Sequence, residues 1–161
     1  MDADHDRPQI DQRGLYLEEF QVGARYRHRP GRTVTEADNV LFTTLTMNTQ
    51  SLHLDAVFAA GQEPFRRVLV NSMFTLSTLV GLSVAQLTQG TLVANLGFSE
   101  ISFPSPLFIG DTLYASTVVL DKRESSSRPG EGIVSLRHVG VNQDDVVVAR
   151  AVRATLVRTA P

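Results

Sequence analysis

The chain has 161 residues, 42% of them hydrophobic and 20% charged, with a formal charge of -2 at pH 7; that is enough for one domain with a proper core and too short for two ordinary ones. This balance offers no basic field to hold a nucleic-acid backbone, and the absence of cysteine excludes a disulfide framework, thiol catalysis and any Cys-based metal centre. The first residues, Met1-Asp2-Ala3-Asp4-His5-Asp6-Arg7-Pro8, lack the basic start and apolar run of a secretory leader, and no later segment reaches about 18 uninterrupted apolar residues. The expectation is a cytoplasmic protein with neither a nucleic-acid nor a membrane partner.

Residues 1–14 are polar and acidic and read as a flexible tail, which leaves 15–161 as the folded domain. Residues 24–34 suit a first strand, interrupted at Pro30-Gly31 as by a bulge or turn. Thr35-Glu36-Ala37-Asp38 marks a helix start, with Thr35 as cap and acids in the first turn; Val40, Leu41, Phe42 and Leu45 would supply its buried face. A short helix is expected over about 55–60. Residues 71–87 are apolar on nearly every side, diluted only by small Ser and Thr. They predict a helix about 25 Å long, buried inside its own domain and ended by Gln89-Gly90.

Four segments rich in Val, Leu, Ile and Thr follow, at 91–103, 111–123, 132–142 and 146–158. Pro104-Ser105-Pro106 with Gly110, Arg128-Pro129-Gly130, and Asn142-Gln143-Asp144-Asp145 separate them. Consecutive hairpins imply antiparallel pairing, so the fold class expected is α+β, with an antiparallel sheet large enough to wrap one long helix. The chain shows no internal repeat.

The segment Leu45-Thr46-Met47-Asn48-Thr49-Gln50-Ser51-Leu52-His53-Leu54-Asp55 sets one imidazole between a polar turn and a helix start. It resembles the signature of the MaoC-like (R)-specific enoyl-CoA hydratases, Gly-Asp-x-Asn-Pro-x-His-x-Asp, with the family's histidine at His53 and its later acid at Asp55. Met47, Asn48, Gln50 and Ser51 stand where that pattern has Gly, Asp, Asn and Pro. A second stretch, Phe103-Pro104-Ser105-Pro106-Leu107-Phe108-Ile109-Gly110-Asp111-Thr112-Leu113, is similar to the turn that precedes a long strand in the same family. The resemblance implies a single hotdog domain over 15–161, a homodimer or higher homo-oligomer, and an acyl-CoA thioester substrate. CoA belongs to that substrate, and no separate cofactor is called for.

Hydration of a conjugated thioester needs a base for water, an acid for the α-carbon and donors for the enolate oxygen. His53 is the candidate acid/base, because an imidazole exchanges protons near neutral pH; the alternative is a polar residue satisfied at a helix start. Asn48 takes the place of the family's catalytic Asp, and a carboxamide orients water or thioester but cannot act as a base. Either His53 performs both proton transfers while Asn48 and Gln50 hold the water, or an acid approaches from Asp55, Glu36 or Glu100, or hydratase activity is lost. Asp55 also suits a helix cap. Asn71, Ser72 and Met73 would present backbone N–H groups at the helix start where the family has its oxyanion hole, with capping by the Asn71 side chain as the plainer role.

Ser127-Arg128-Pro129 with Gly132, together with Met47-Asn48-Thr49-Gln50 and Leu69-Val70-Asn71-Ser72, resembles the subgroup of mesaconyl-CoA and itaconyl-CoA hydratases. Arg128 is then a candidate for a substrate carboxylate or a CoA phosphate, or a plain solvated loop residue. Arg66, Arg67, Lys122 and Arg123 are further phosphate candidates. His5, His28 and His138 have no second ligand at metal spacing, so no metal is assigned. A hotdog thioesterase and an inactive acyl-CoA-binding subunit are the competing functions.

Overall fold

The computed structural model describes residues 7–161. In chain order its elements are β1 (Arg25–Thr33), α1 (Glu36–Leu45), α2 (Ser51–Leu54), α3 (Ala56–Ala60), α4 (Ser72–Leu87), β2 (Leu92–Ser102), β3 (Thr112–Glu124), β4 (Glu131–Val141) and β5 (Val147–Arg158). One five-stranded sheet has the order β1-β3-β4-β5-β2, with every pair antiparallel. The expected interruption at Pro30-Gly31 is a register shift of β1 between His28 and Arg32. Of the expected N-terminal tail, residues 1–6 lie outside the described residues. Gly14 is docked, donating its N–H to the Gln89 carbonyl at 2.7 Å.

Period-two alternation turns Leu113, Ala115, Thr117 and Val119 of β3, and Val134, Leu136 and His138 of β4, toward α4, as expected for a half-buried sheet. The helix packs on this face through Leu76, Leu79, Ser83 and Leu87, giving the hotdog arrangement. The core falls into two apolar clusters. One gathers Val34, Val70, Leu107, Leu113 and Val148 around Leu79; the other gathers Leu17, Phe20, Val119, Leu136 and Val157 around Leu87.

Between them runs a polar belt. Gln86 Oε1 can only accept, so the contact at 2.8 Å places the proton of His28 on Nδ1. His28 Nε2 then accepts from Thr117 Oγ1 at 2.7 Å, and the same oxygen accepts from His138 Nδ1–H at 2.8 Å. His138 Nε2 keeps a lone pair and has no hydrogen-bond partner. On β5, Arg153 is also buried and donates Nε to Asn95 Oδ1 at 3.1 Å. Burial first, then the charge of Arg153 and the proximity of His28, push His138 down to about 3.

Two expectations about helices need correction. The apolar residues of α1 do not form its buried side: Leu41 and Leu45 are 61% and 73% exposed, while Asn39 and Thr43 are fully buried. Phe42 is half-buried, edge-on to the Phe74 ring at 5.6 Å, but the fully buried Asn39 and Thr43 face polar groups of backbone and side chain, so polar residues are the ones that fit there. Nor is α4 enclosed all round. Met73, Ser77, Gly81 and Ala85, spaced four apart, form an open stripe along it, because the sheet covers only one side.

The neutral belt makes stability pH-dependent. An unfolded imidazole titrates near 6.5, whereas folded His138 titrates near 3; as pH falls below about 6.5 the unfolded chain takes up a proton that the folded one refuses. The stabilisation is complete above about 6.5 and is lost toward 3, at up to about 1.4 kcal/mol per pH unit. Urea midpoints of the wild type should therefore fall more steeply between pH 6.5 and 4 than those of His138→Gln. Parallel slopes would assign the acid sensitivity to other groups.

Candidate active site

The strand-to-helix entry is fixed by a capping box: Thr35 Oγ1 accepts from Asp38 N–H at 3.2 Å, and Asp38 Oδ2 accepts from Thr35 N–H at 2.9 Å. At its other end α1 is turned back by Met47, whose φ is +55°. Asn48 N–H then donates to the Thr43 carbonyl at 3.0 Å, and Asn48 Oδ1 accepts from Gln50 N–H at 3.3 Å, closing an Asx-type turn. The chain enters α2, the single turn that carries His53. Asp55 ends that turn and caps α3, accepting from Phe58 N–H at 2.9 Å.

His53 Nδ1 lies 2.9 Å from the Leu69 carbonyl oxygen. A carbonyl only accepts, so Nδ1 carries the hydrogen of the neutral ring and Nε2 keeps the free lone pair. The Leu69 strand is held in place by its own N–H on the Leu52 carbonyl at 3.0 Å, and Val70 N–H donates to the Leu107 carbonyl at 3.0 Å. His53 and Ser72 line one cavity of about 250 Å³, whose walls include Phe65, Val70, Phe103 and Leu107 and contain no carboxylate. The 103–111 turn that forms one wall is built by Asp111, which accepts from Phe108 N–H at 2.9 Å and from Gln143 Nε2 at 3.1 Å. Gly110, at φ +93°, supplies the left-handed turn that this wall requires.

At the start of α4 two of the three expected donors are already used. Asn71 N–H donates to Asn39 Oδ1 at 2.9 Å, and Met73 N–H donates to Asn71 Oδ1 at 2.9 Å. Among the described residues the N–H of Ser72 has no partner. It stands at the first helical position, where the dipole is positive, beside the cavity that holds His53.

Residues 19–142 match the MaoC like domain. The chain belongs to the MaoC-like domain family. It is 30% identical over 145 residues to a beta-methylmalyl-CoA dehydratase of Chloroflexus aurantiacus, covering 90% of this chain and 40% of that protein. To a mesaconyl-CoA hydratase of Cereibacter sphaeroides it is 29% identical, covering 90% of this chain and 41% of the relative. The chain thus spans about two-fifths of the length of these curated relatives. A solved structure of a monoamine oxidase regulatory protein from Archaeoglobus fulgidus superposes with a TM-score of 0.82 at 30% identity, covering 94% of this chain and 100% of that one.

In this MaoC-like domain the sequence-derived site residues separate into two groups. His53 and Ser72 are brought to one cavity. Asn48 and Gln50 are not among the residues lining it: the carbonyl oxygen of Asn48 closes its own turn, and Gln50 is an exposed N-cap without a side-chain capping bond. The side chain of Met73 is half exposed. Arg128 sits in the β3–β4 hairpin, paired through its guanidinium fork with Glu131. The 13 residues of β3, ~40 Å of extended chain, separate this hairpin from the Asp111 turn, so within one chain Arg128 is not part of the His53 site. Glu36 and Glu100 are exposed and Asp55 is a cap, so none of the candidate acids lines the cavity.

Asn39 is the residue that sequence reasoning missed. Fully buried, it donates Nδ2 to the His53 carbonyl at 3.0 Å and to the Leu69 carbonyl at 3.3 Å, while its Oδ1 holds Asn71 N–H. One side chain thereby fixes the turn bearing the imidazole, the carbonyl that sets its tautomer, and the start of α4. The signal was the i, i+4 pair Asn39 and Thr43, polar residues at helical spacing within the run Val40-Leu41-Phe42 to Leu45. Asn39→Ala strands these three backbone groups in the interior. It should lower unfolding free energy by about 2–4 kcal/mol, measured by urea denaturation, and a loss below about 1 kcal/mol would show that water replaces the amide.

Proposed function

We propose that this domain is a hydro-lyase that reversibly adds water to the double bond of an enoyl-CoA thioester. The reading is carried by one observation: a tautomer-fixed imidazole lines a largely apolar cavity together with Ser72, whose N–H at the start of α4 is unpartnered. His53 Nε2 takes a proton from water as the water oxygen bonds to the β-carbon. The electron pair moves onto the thioester oxygen, where the Ser72 N–H and the α4 dipole stabilise it. The same imidazolium returns the proton to the α-carbon, so one residue completes the addition and no carboxylate is used. CoA enters as part of the substrate, and no further cofactor is needed.

The curated relatives named for beta-methylmalyl-CoA and mesaconyl-CoA support mesaconyl-CoA or itaconyl-CoA, branched dicarboxylic thioesters, as the first substrates to test. Arg67, over the Phe108 ring at 3.9 Å, lines a smaller cavity that shares Phe65 and Leu69 with the His53 cavity; it is better placed than Arg128 to meet the second carboxylate.

We further propose that the working unit is a cytoplasmic homodimer joined at β2. This strand is a sheet edge that exposes Leu96, Phe98 and Ile101, an open apolar edge of the kind that monomers avoid. Among the described residues no helix is long and apolar enough to cross a membrane.

A second reading has its own support. Because no carboxylate lines the cavity, the domain would also serve as an acyl-CoA-binding subunit without turnover. The same observation weighs against the thioesterase alternative, which needs a carboxylate aimed at the thioester carbonyl.

Purified protein mixed with crotonyl-, mesaconyl- and itaconyl-CoA should bleach the conjugated thioester absorbance and yield a product heavier by one water. His53→Ala should lose at least about 10²-fold in kcat. Ser72→Pro removes only the N–H, since the first helical position tolerates proline and Asn71, at φ -56° and ψ 125°, already has the extended conformation that a following proline imposes. It should cost about 10²-fold in kcat while Ser72→Ala costs little. Thioester binding without any water gain would establish the binding-subunit reading instead.

In sedimentation, Phe98→Lys should shift the wild-type dimer to a monomer. A wild-type monomer, or a dimer that survives this change, would remove β2 as the joint.

A further inference from the structure

A second cavity is larger than the one that holds His53. It measures about 500 Å³, lies on the outer face of the sheet, and shares no lining residue with the His53 cavity. Three of its walls come from one edge strand: Arg25, Arg27 and Arg29 of β1. They alternate with Tyr26 and His28, which pack inward, so the three guanidinium groups leave the same outer face at intervals of ~6.6 Å. That places three permanent cations in a row ~13 Å long on a chain whose overall charge is -2.

Among the described residues Arg25, Arg27 and Arg29 hold no carboxylate, unlike Arg13, Arg32, Arg66 and Arg128, and they are gathered in the lining of one cavity. The rest of the lining sets polar groups among Ala115, Val139 and Val141. Tyr114 is backed by Gly31, where a Cβ would come within 2.6 Å of the ring, and Arg29 sits over the same ring at 5.1 Å. Ser116 contributes a hydroxyl. Asn142 uses its Oδ1 for the N–H groups of Asp144 and Val146, at 3.0 Å each, which leaves its amide donors available. Asp145, in the turn at φ +59°, is the one acid in the lining.

We propose that this concavity is a second binding site, for a small oligophosphate anion of nucleotide size. A cavity of about 500 Å³ falls in the ordinary range for small-molecule sites. A single carboxylate would occupy one guanidinium fork, whereas a row of three matches an anion with several charged centres in line, and arginine recognises phosphate bidentately. The site stands independently of the hydro-lyase reading. Its phosphates have two possible sources, a free oligophosphate or nucleotide, or the nucleotide end of the CoA thioester itself.

Calorimetric titration of the full chain with inorganic tripolyphosphate at low salt tests this. The expected result is one equivalent bound per chain, at least tenfold weaker in R25Q/R27Q, tighter in D145N, and weakened by 0.5 M salt in both the wild type and D145N. Arg29 is left in place because it donates to the His28 carbonyl at 3.0 Å and covers Tyr114, and D145N gives a readout of opposite sign should the double variant be unstable. No saturable binding by the wild type, or unchanged affinity in these variants, overturns the proposal. In a last arm crotonyl-CoA is added to the loaded protein. Retention of tripolyphosphate supports a separate site, and its stoichiometric displacement overturns that separateness, assigning the arginines to the phosphates of the thioester.

Discussion

One buried carboxamide holds together three stretches of chain that are remote in sequence. Asn39, on α1, donates to the His53 and Leu69 carbonyls and accepts from Asn71 N–H. Each of those backbone groups lies where regular structure stops, at the end of a one-turn helix, in an irregular strand and at the cap of α4. None has a regular ladder to join, and a buried backbone group left unpaired costs about 1–3 kcal/mol. The amide satisfies all three at once and thereby sets the distance between the imidazole and the helix start. This explains why the inward face of α1 is polar, and why its Leu41 and Leu45 are turned outward.

The same logic accounts for the division of the core. A sheet wrapped around a single helix must bury the helix over its whole contact length, yet here Ser83, Thr117, His28 and His138 interrupt the hydrocarbon. The hydrogen-bond sequence His138 to Thr117 to His28, and from His28 to Gln86, has only one consistent direction, because the glutamine oxygen at its end cannot donate. Burial lowers the pKa of both imidazoles, and as neutral rings they are fixed in tautomer by this sequence, with His138 Nε2 an unused acceptor in the interior. Neutrality is what makes the belt compatible with an apolar surround, since an ionised imidazole there would carry the full cost of burial beside the Arg153 guanidinium.

Much of the fold could be read in the residues because its signals are local. Runs of β-branched residues between Pro-Gly and Asn-Gln-Asp-Asp turns placed β2 to β5 within a residue or two of their observed ends, and the unbroken apolar density of 71–87 gave α4. The sheet order could not be read. Pairing β2 with β5 joins strands with two others between them in sequence, and nothing in either strand's own pattern states its partner. For the site, the imidazole and the helix start were legible, whereas Asn39 was not: its role consists of contacts with residues 14, 30 and 32 positions away. For the same reason the pairing of Arg128 was not legible, since its loop looks available in sequence and its guanidinium is paired with the glutamate three residues on.

The substitution at Asn48 takes on a different meaning once its surroundings are known. At position 47, where the resembled pattern has Gly, the backbone is left-handed, and Met47 adopts that conformation at a cost of order 1 kcal/mol. The turn has thus been kept although the residue that favours it is gone. Asn48 supports the turn by accepting from Gln50 N–H, a bond that an aspartate would make equally well, so the turn itself does not require the loss of the acid. What the carboxamide changes is acid–base chemistry. An amide has no proton to exchange near neutral pH. With its oxygen spent on the turn and its side chain outside the lining of the His53 cavity, it leaves the imidazole as the one acid–base side chain among the residues that line that cavity.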